Sequence, residues 1–217
     1  MDEFTAVQRV AIWALPVLFA ITVHEVAHGW VAYQLGDPTA KMLGRLTLNP
    51  IKHIDPVGTL LVPGVLLLLG GVVFGWAKPV PITMENLHQP RRDMAIVAAA
   101  GPIANLVMAM LWALLMKLGI VFADDLGAMA QPLIFMGGAG ITINIVLAVL
   151  NLLPLPPLDG GRVASGLLPG RVAVKFDRLE PYGFMIILTL LLTGILGKIL
   201  LPPIGILQEV IYFIFGI

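Results

Sequence analysis

Two histidines four residues apart, with a glutamate directly after the first, stand at His24-Glu25-Val26-Ala27-His28. On a helix, positions i and i+4 share a face, so both imidazoles can reach one metal ion while Glu25 stands beside them as a base for water. The chemistry that this spacing offers is metal-assisted hydrolysis. The five residues lie within an apolar stretch, Val10 to Leu35, long enough to cross a bilayer. Each ionisable side chain near a bilayer centre costs about 2.5–3.5 kcal/mol on insertion scales, so this cluster needs a strong compensating interaction. A bound cation supplies one. At the helical rise, His24 falls roughly 20 Å from Val10 and the motif lies near mid-depth.

Hydrolytic zinc takes three protein ligands and keeps a fourth position open, so a third donor must come from elsewhere in the chain. There is no cysteine, so it must be His, Asp or Glu. Asp159 ends the run Asn151-Leu-Leu-Pro-Leu-Pro-Pro-Leu-Asp, where three prolines stop a helix and extend the backbone. Broken segments are tolerated at membrane depth where they line a cavity, and Gly160 and Gly161 permit a tight return. Without the histidine motif the same stretch would read as an ordinary turn with a solvated aspartate. His53, in Asn49-Pro50-Ile51-Lys52-His53-Ile54-Asp55-Pro56, is the rival third ligand, or a residue supporting the site. His88 lies in a proline-flanked polar loop and reads as solvated.

The elements that must position these residues are helices in a membrane. Of 217 residues 59% are apolar and only 12% charged, against about 45–50% and about 25% in soluble domains. The fold class is therefore an all-α polytopic membrane protein. Thirteen basic and thirteen acidic side chains cancel, which argues against nucleic acid as a partner. The absence of cysteine excludes disulfides and thiolate chemistry. Apolar segments fall at 10–35, 58–75, 94–122, 131–153, 183–200 and 203–217, giving five to six membrane segments. Asp2, Glu3 and a single Arg9 do not form the basic start of a signal peptide, so the first segment is expected to be a retained helix. The loops are short, so 1–217 reads as one domain, with a core over about 10–165 and C-terminal helices over about 183–217.

Short loops rich in Lys and Arg stay in the cytoplasm. Lys41, Arg45 and Lys52 follow the first segment, and Lys78, Arg91 and Arg92 precede the third, so both loops are expected there. The 58–75 segment between them contains Pro63, Gly64, Gly70 and Gly71, and a re-entrant hairpin satisfies the charge rule better than a crossing. Asp124 and Asp125 are then external, and the stretch with Arg162, Arg171, Lys175 and Arg178 returns to the cytoplasm. On that path the 10–35 and 131–153 helices run in the same direction. Gln208 and Glu209 leave the last segment as either an interfacial helix or a span.

The chain resembles the site-2 protease family of intramembrane zinc metalloproteases. The residues that carry the resemblance are His24 to His28, the Asn151 to Gly160 segment, and Gly101-Pro102-Ile103-Ala104-Asn105. Gly36-Asp37-Pro38-Thr39-Ala40 through Asn49-Pro50, and Gly75-Trp76-Ala77-Lys78-Pro79-Val80-Pro81, resemble the compact prokaryotic branch without a PDZ or CBS domain. The resemblance implies Zn2+ bound by His24, His28 and Asp159, with Glu25 acting on the catalytic water. It places Asn151 in the active-site region, hydrogen-bonding substrate backbone or the developing oxyanion; an interhelical hydrogen bond is the equal alternative. It implies transmembrane protein or peptide substrates, such as membrane-anchored regulators or remnant signal peptides, cleaved in or near their membrane segments. The enzyme would sit in the lipid bilayer of a prokaryotic cytoplasmic membrane, its active site reached from the cytoplasmic side.

Asn105 and Asn144 are read as interhelical packing amides, and Gly101 and Pro102 as a close helix approach and a helix start. Gly75 to Ile82, with Pro79 and Pro81, is extended. It could pair with an unwound substrate, or serve only as a rigid connector. The competing class is a metal-ion or proton transporter using the same His, Glu and Asp cluster. A second polar pathway, which a transporter would need, is not found.

Overall fold

The computed structural model describes residues 5–61 and 78–217, and these contain helices and loops but no strand. The principal helices are α1 (Ala6–Gln34), α2 (Pro90–Val121), α3 (Ala130–Asn151), α4 (Asp159–Leu167), α5 (Gly170–Asp177), α6 (Glu180–Leu192) and α7 (Ile195–Phe215). Among the described residues four stretches are long and apolar enough to cross a membrane: Val10–Gln34, Pro90–Val121, Ala123–Asn151 and Ile195–Phe215. Their outer faces expose Trp13, Phe19, Ile103, Val107, Leu111 and Phe213. Such faces suit lipid, and the helices satisfy their own backbone polar groups. Most of the 58–75 segment lies outside the described residues, and with it the hairpin expected there.

Local chemistry sets the helix ends. Thr5 and Gln8 form a capping box at the start of α1, each side chain accepting from the other's backbone N–H. Pro90 opens α2, where its missing N–H costs nothing, and Asp93 accepts from the Gln89 N–H at 2.7 Å. Pro154, Pro156 and Pro157 keep α3 from continuing past Asn151.

Helix directions follow from the contacts. His28 meets Val97 and His24 meets Asn105, so α1 and α2 are antiparallel. Asn105 meets Asn144, and a Cβ on Gly137 would touch Met116, so α2 and α3 are antiparallel as well. Hence α1 and α3 run the same way, as the charge pattern requires. The end of α1 and the approach to α2 lie together: the His88 N–H donates to the Leu35 carbonyl at 3.0 Å, and the Lys78 N–H to the His53 carbonyl at 2.9 Å.

Pro102 does not begin a helix; α2 runs unbroken through it. The C-terminal boundary also differs from the sequence expectation, which set it around Pro202. α7 continues through Pro202 and Pro203, and the break falls at Gly194, whose φ of 71° is open to glycine at little cost. Gln208 donates to the Thr142 hydroxyl at 3.3 Å and Lys117 to the Gly216 carbonyl at 2.9 Å. α7 therefore packs along α2 and α3, its Ile204 and Ile211 joining Trp112, Ile141 and Ile145 in one core.

Candidate metal centre

His24 and His28 project from one face of α1 and are 8% and 7% exposed. Their Nε2 atoms lie 3.0 Å apart. Asp159, the first residue of α4, closes a triangle: its Oδ2 is 3.1 Å from His24 Nε2 and 3.2 Å from His28 Nε2. The loop 152–158 makes this possible by turning the chain back after α3. Gly160 and Gly161 press against the backbone of that loop, at Leu152 and Pro156, so closely that any Cβ would collide.

The outer nitrogens fix what the inner ones present. His28 Nδ1 lies 2.7 Å from the Val97 carbonyl, an acceptor, so it carries the proton. His24 Nδ1 lies 2.6 Å from Asn105 Oδ1. The Asn105 amide nitrogen is committed to the Ala20 carbonyl at 3.1 Å and to Asn144 Oδ1 at 2.9 Å, so the oxygen must face the imidazole. Asn144 in turn donates to the Gly140 carbonyl. Both rings therefore hold their proton on Nδ1 when neutral and aim an Nε2 lone pair inward. Sequence reasoning assigned Asn105 and Asn144 to helix packing; Asn105 also sets a ring's tautomer.

Three acceptors thus converge, and Asp159 Oδ2 is buried with no hydrogen bond among the described residues. Such a triangle calls for an electrophile. Its edges approach the separation of about 3.3 Å that ligands adopt around tetrahedral zinc with bonds near 2.0 Å. Gly101 leaves the space, since a Cβ there would stand 2.5 Å from His28 Nε2 and 2.6 Å from His24 Cε1. The donor set fits zinc.

Glu25 lies on the same helix and lines the same cavity of about 190 Å³, together with Asn151, Val80, Ile82 and Arg162. Its Oε2 accepts from the Val80 N–H at 2.7 Å. The sequence could not reveal this contact, which spans 55 positions. Asn151 borders the cavity while its amide donates to the Leu147 carbonyl at 3.0 Å. His53 is not brought to the cluster. It is 2% exposed, its Nε2 is 2.9 Å from the Thr47 carbonyl, and its Nδ1 has no partner among the described residues. His88 is exposed, as expected.

Comparison with known proteins gives this geometry a context. The sequence profile of Peptidase family M50 matches residues 12–125 and 118–194. A Bacillus subtilis (strain 168) protein named "Putative zinc metalloprotease YwhC" is 41% identical over 189 residues, covering 87% of this chain and 83% of its own. Rip2 of Mycolicibacterium smegmatis, which carries the same description, is 32% identical over 183 residues, covering 83% of this chain and 66% of its own. Rip2 of Mycobacterium tuberculosis (strain H37Rv) is 31% identical over 144 residues, covering 66% of this chain and 52% of its own. No solved structure matches. Apolar helices, a zinc-shaped donor triangle and these relatives agree: the chain belongs to peptidase family M50, the site-2 proteases, and is a membrane zinc metalloprotease.

Proposed function

We propose that this protein is an intramembrane endopeptidase that hydrolyses peptide bonds in or near transmembrane segments of membrane-anchored proteins. The observation that carries the reading is the donor triangle of His24, His28 and Asp159 on helices of membrane character, with Glu25 in the same cavity. These three side chains would hold the zinc, which supplies Lewis acidity to the scissile carbonyl and makes water acidic enough to ionise near neutral pH.

Glu25 then takes the proton from the attacking water and passes it to the leaving amine. The Val80 N–H holds one of its oxygens, and the other has no partner among the described residues. Asn151, at the cavity wall, hydrogen-bonds the substrate backbone or the developing oxyanion. A helical substrate must be extended before attack. The non-helical strip Lys78 to Thr83 supports that step: the Ile82 N–H and the Val80 carbonyl carry no hydrogen bond among the described residues and are free to pair with an extended chain.

The cavity lies in the half of the bundle where α1 stops and α2 begins, lined by His28 of α1 and Val97 of α2. Lys41, Arg45, Lys78, Arg91 and Arg92 cluster in the sequence there, which supports water entry from the cytoplasmic side of a prokaryotic cytoplasmic membrane. The test is zinc content and cleavage of a labelled transmembrane peptide by wild type, Glu25→Gln and Asp159→Asn. Glu25→Gln is expected to keep zinc and to lose about 10²- to 10⁴-fold in turnover. Full cleavage by Glu25→Gln would end the mechanism.

A further inference from the structure

Beside the catalytic cavity lies a second, of about 310 Å³, and the two share Ile82, Pro157 and Arg162. Its other walls include Met84, Met94 and Pro156, with Arg91, Asp177 and Glu180 among its charged residues. Arg91 is already committed, donating to the Ser165 and Leu168 carbonyls at 3.2 Å each. Arg162 is different. It stands one helical turn after Asp159 on α4, is exposed, and its guanidinium makes no hydrogen bond or ion pair among the described residues. A permanently charged group with five donors therefore borders both cavities, with no hydrogen bond or ion pair among the described residues.

We propose that Arg162 is a substrate-binding residue. Its guanidinium binds backbone carbonyl oxygens of the extended substrate where that chain passes from the catalytic cavity into the second one. An extended peptide presents a carbonyl on each residue, and unwinding a helix in an apolar setting leaves those oxygens without their N–H partners. A planar fork of donors satisfies two such oxygens at once, which an ammonium does less well. The apolar walls of Ile82, Met84 and Met94 suit side chains drawn from a membrane segment. Arg162 thereby also fixes the register of the chain relative to Glu25. The inference rests on the proposed endopeptidase reading, and its test separates the two.

The probe is a fluorescent peptide whose Leu/Ala-rich transmembrane segment of about 20 residues is interrupted by Gly-Pro, held in detergent micelles. Binding is measured in the Glu25→Gln background, where turnover plays no part, and steady-state cleavage in the otherwise wild-type protein. Arg162→Ala is expected to weaken peptide binding and raise KM roughly tenfold, the size of a lost charge-assisted hydrogen bond, with kcat changed far less. Zinc content stays as in wild type, and Arg162→Lys falls between the two. Arg171→Ala, which removes an exposed guanidinium outside both cavities, leaves binding unaltered. Unchanged binding by Arg162→Ala overturns the proposal. So does equal weakening by Arg171→Ala, or loss of zinc from Arg162→Ala, which would make Arg162 a support of α4. Cleavage by Glu25→Gln would instead sink the hydrolytic reading while leaving the binding result intact.

Discussion

Asp37 and Asp159 are both carboxylates drawn away from water beside the same end of α1, and their surroundings are opposite in kind. Asp37, 0% exposed, meets only donors: the Thr39 N–H, the Thr39 hydroxyl and the Asn86 amide on Oδ1, and the Thr83 N–H on Oδ2. Asp159 meets two imidazole nitrogens whose protons are turned away, and its buried Oδ2 receives no hydrogen bond among the described residues. A carboxylate saturated with donors is a clip, holding the 36–42 turn against the strip that leads to α2. A carboxylate surrounded by acceptors is stable only around a cation. Residue type alone does not separate the two roles; the sense of the surrounding hydrogen bonds does.

The largest effects should come from exchanging each carboxylate for its amide. Asp159→Asn removes a charged ligand and is expected to lower zinc affinity by more than about 100-fold, beyond the loss typical for removal of an outer hydrogen-bond partner. Asp37→Asn is expected to keep its zinc and lose roughly 1–3 kcal/mol of stability, because an amide N–H₂ would face groups that are themselves donors. Metal analysis alongside thermal unfolding in detergent distinguishes the outcomes. If Asp159→Asn kept wild-type zinc affinity, the comparison would collapse and His53 would return as the third ligand.

A smaller effect sharpens the account of how the acceptors are held. Asn105→Ala removes the oxygen that keeps the His24 proton on Nδ1. The expected loss is about 10- to 100-fold in zinc affinity, with all three ligands still in place. Asn144→Ala should follow in the same direction and more weakly, since it acts on His24 only through Asn105. Zinc competition titrations resolve this order, and equal affinities for wild type and Asn105→Ala would remove Asn105 from the site.

These residues mark how far the sequence could be read. His24, Glu25 and His28 were legible because three ionisable groups on one apolar helix demand compensation. Asp159 was legible because prolines and glycines mark a broken segment that returns to the bundle. The shared direction of α1 and α3 followed from Lys and Arg placement alone. The role of Asn105 was not visible, because an amide on an apolar helix pairs with a neighbouring helix in either case and only its partner reveals the purpose. Glu25 and Val80 lie too far apart for any local pattern to join them. The boundary between α6 and α7 was misplaced because adjacent prolines are the stronger punctuation in a sequence, whereas here a left-handed glycine makes the turn.

The smallest effect concerns the clip itself. Burial would raise the Asp37 pKa, but the hydrogen bonds from Thr39, Asn86 and Thr83 outweigh it and hold the pKa below the ordinary carboxylate value. A carboxyl group whose pKa is depressed on folding contributes stability that is complete above its unfolded pKa of about 3.9 and is lost as pH falls through the lower folded value. Asn86→Ala removes one exposed donor and is expected to cost about 1 kcal/mol at neutral pH, with zinc content and cleavage unaffected. Because the missing bond stabilises only the ionised form of Asp37, the difference between variant and wild type should shrink as the solution is acidified below that range. Thermal unfolding at neutral and acidic pH measures it. A gap of constant size at every pH would mean that Asn86 supports the turn by packing and by its bond to the Thr39 hydroxyl, and that Asp37 is held by its other donors alone.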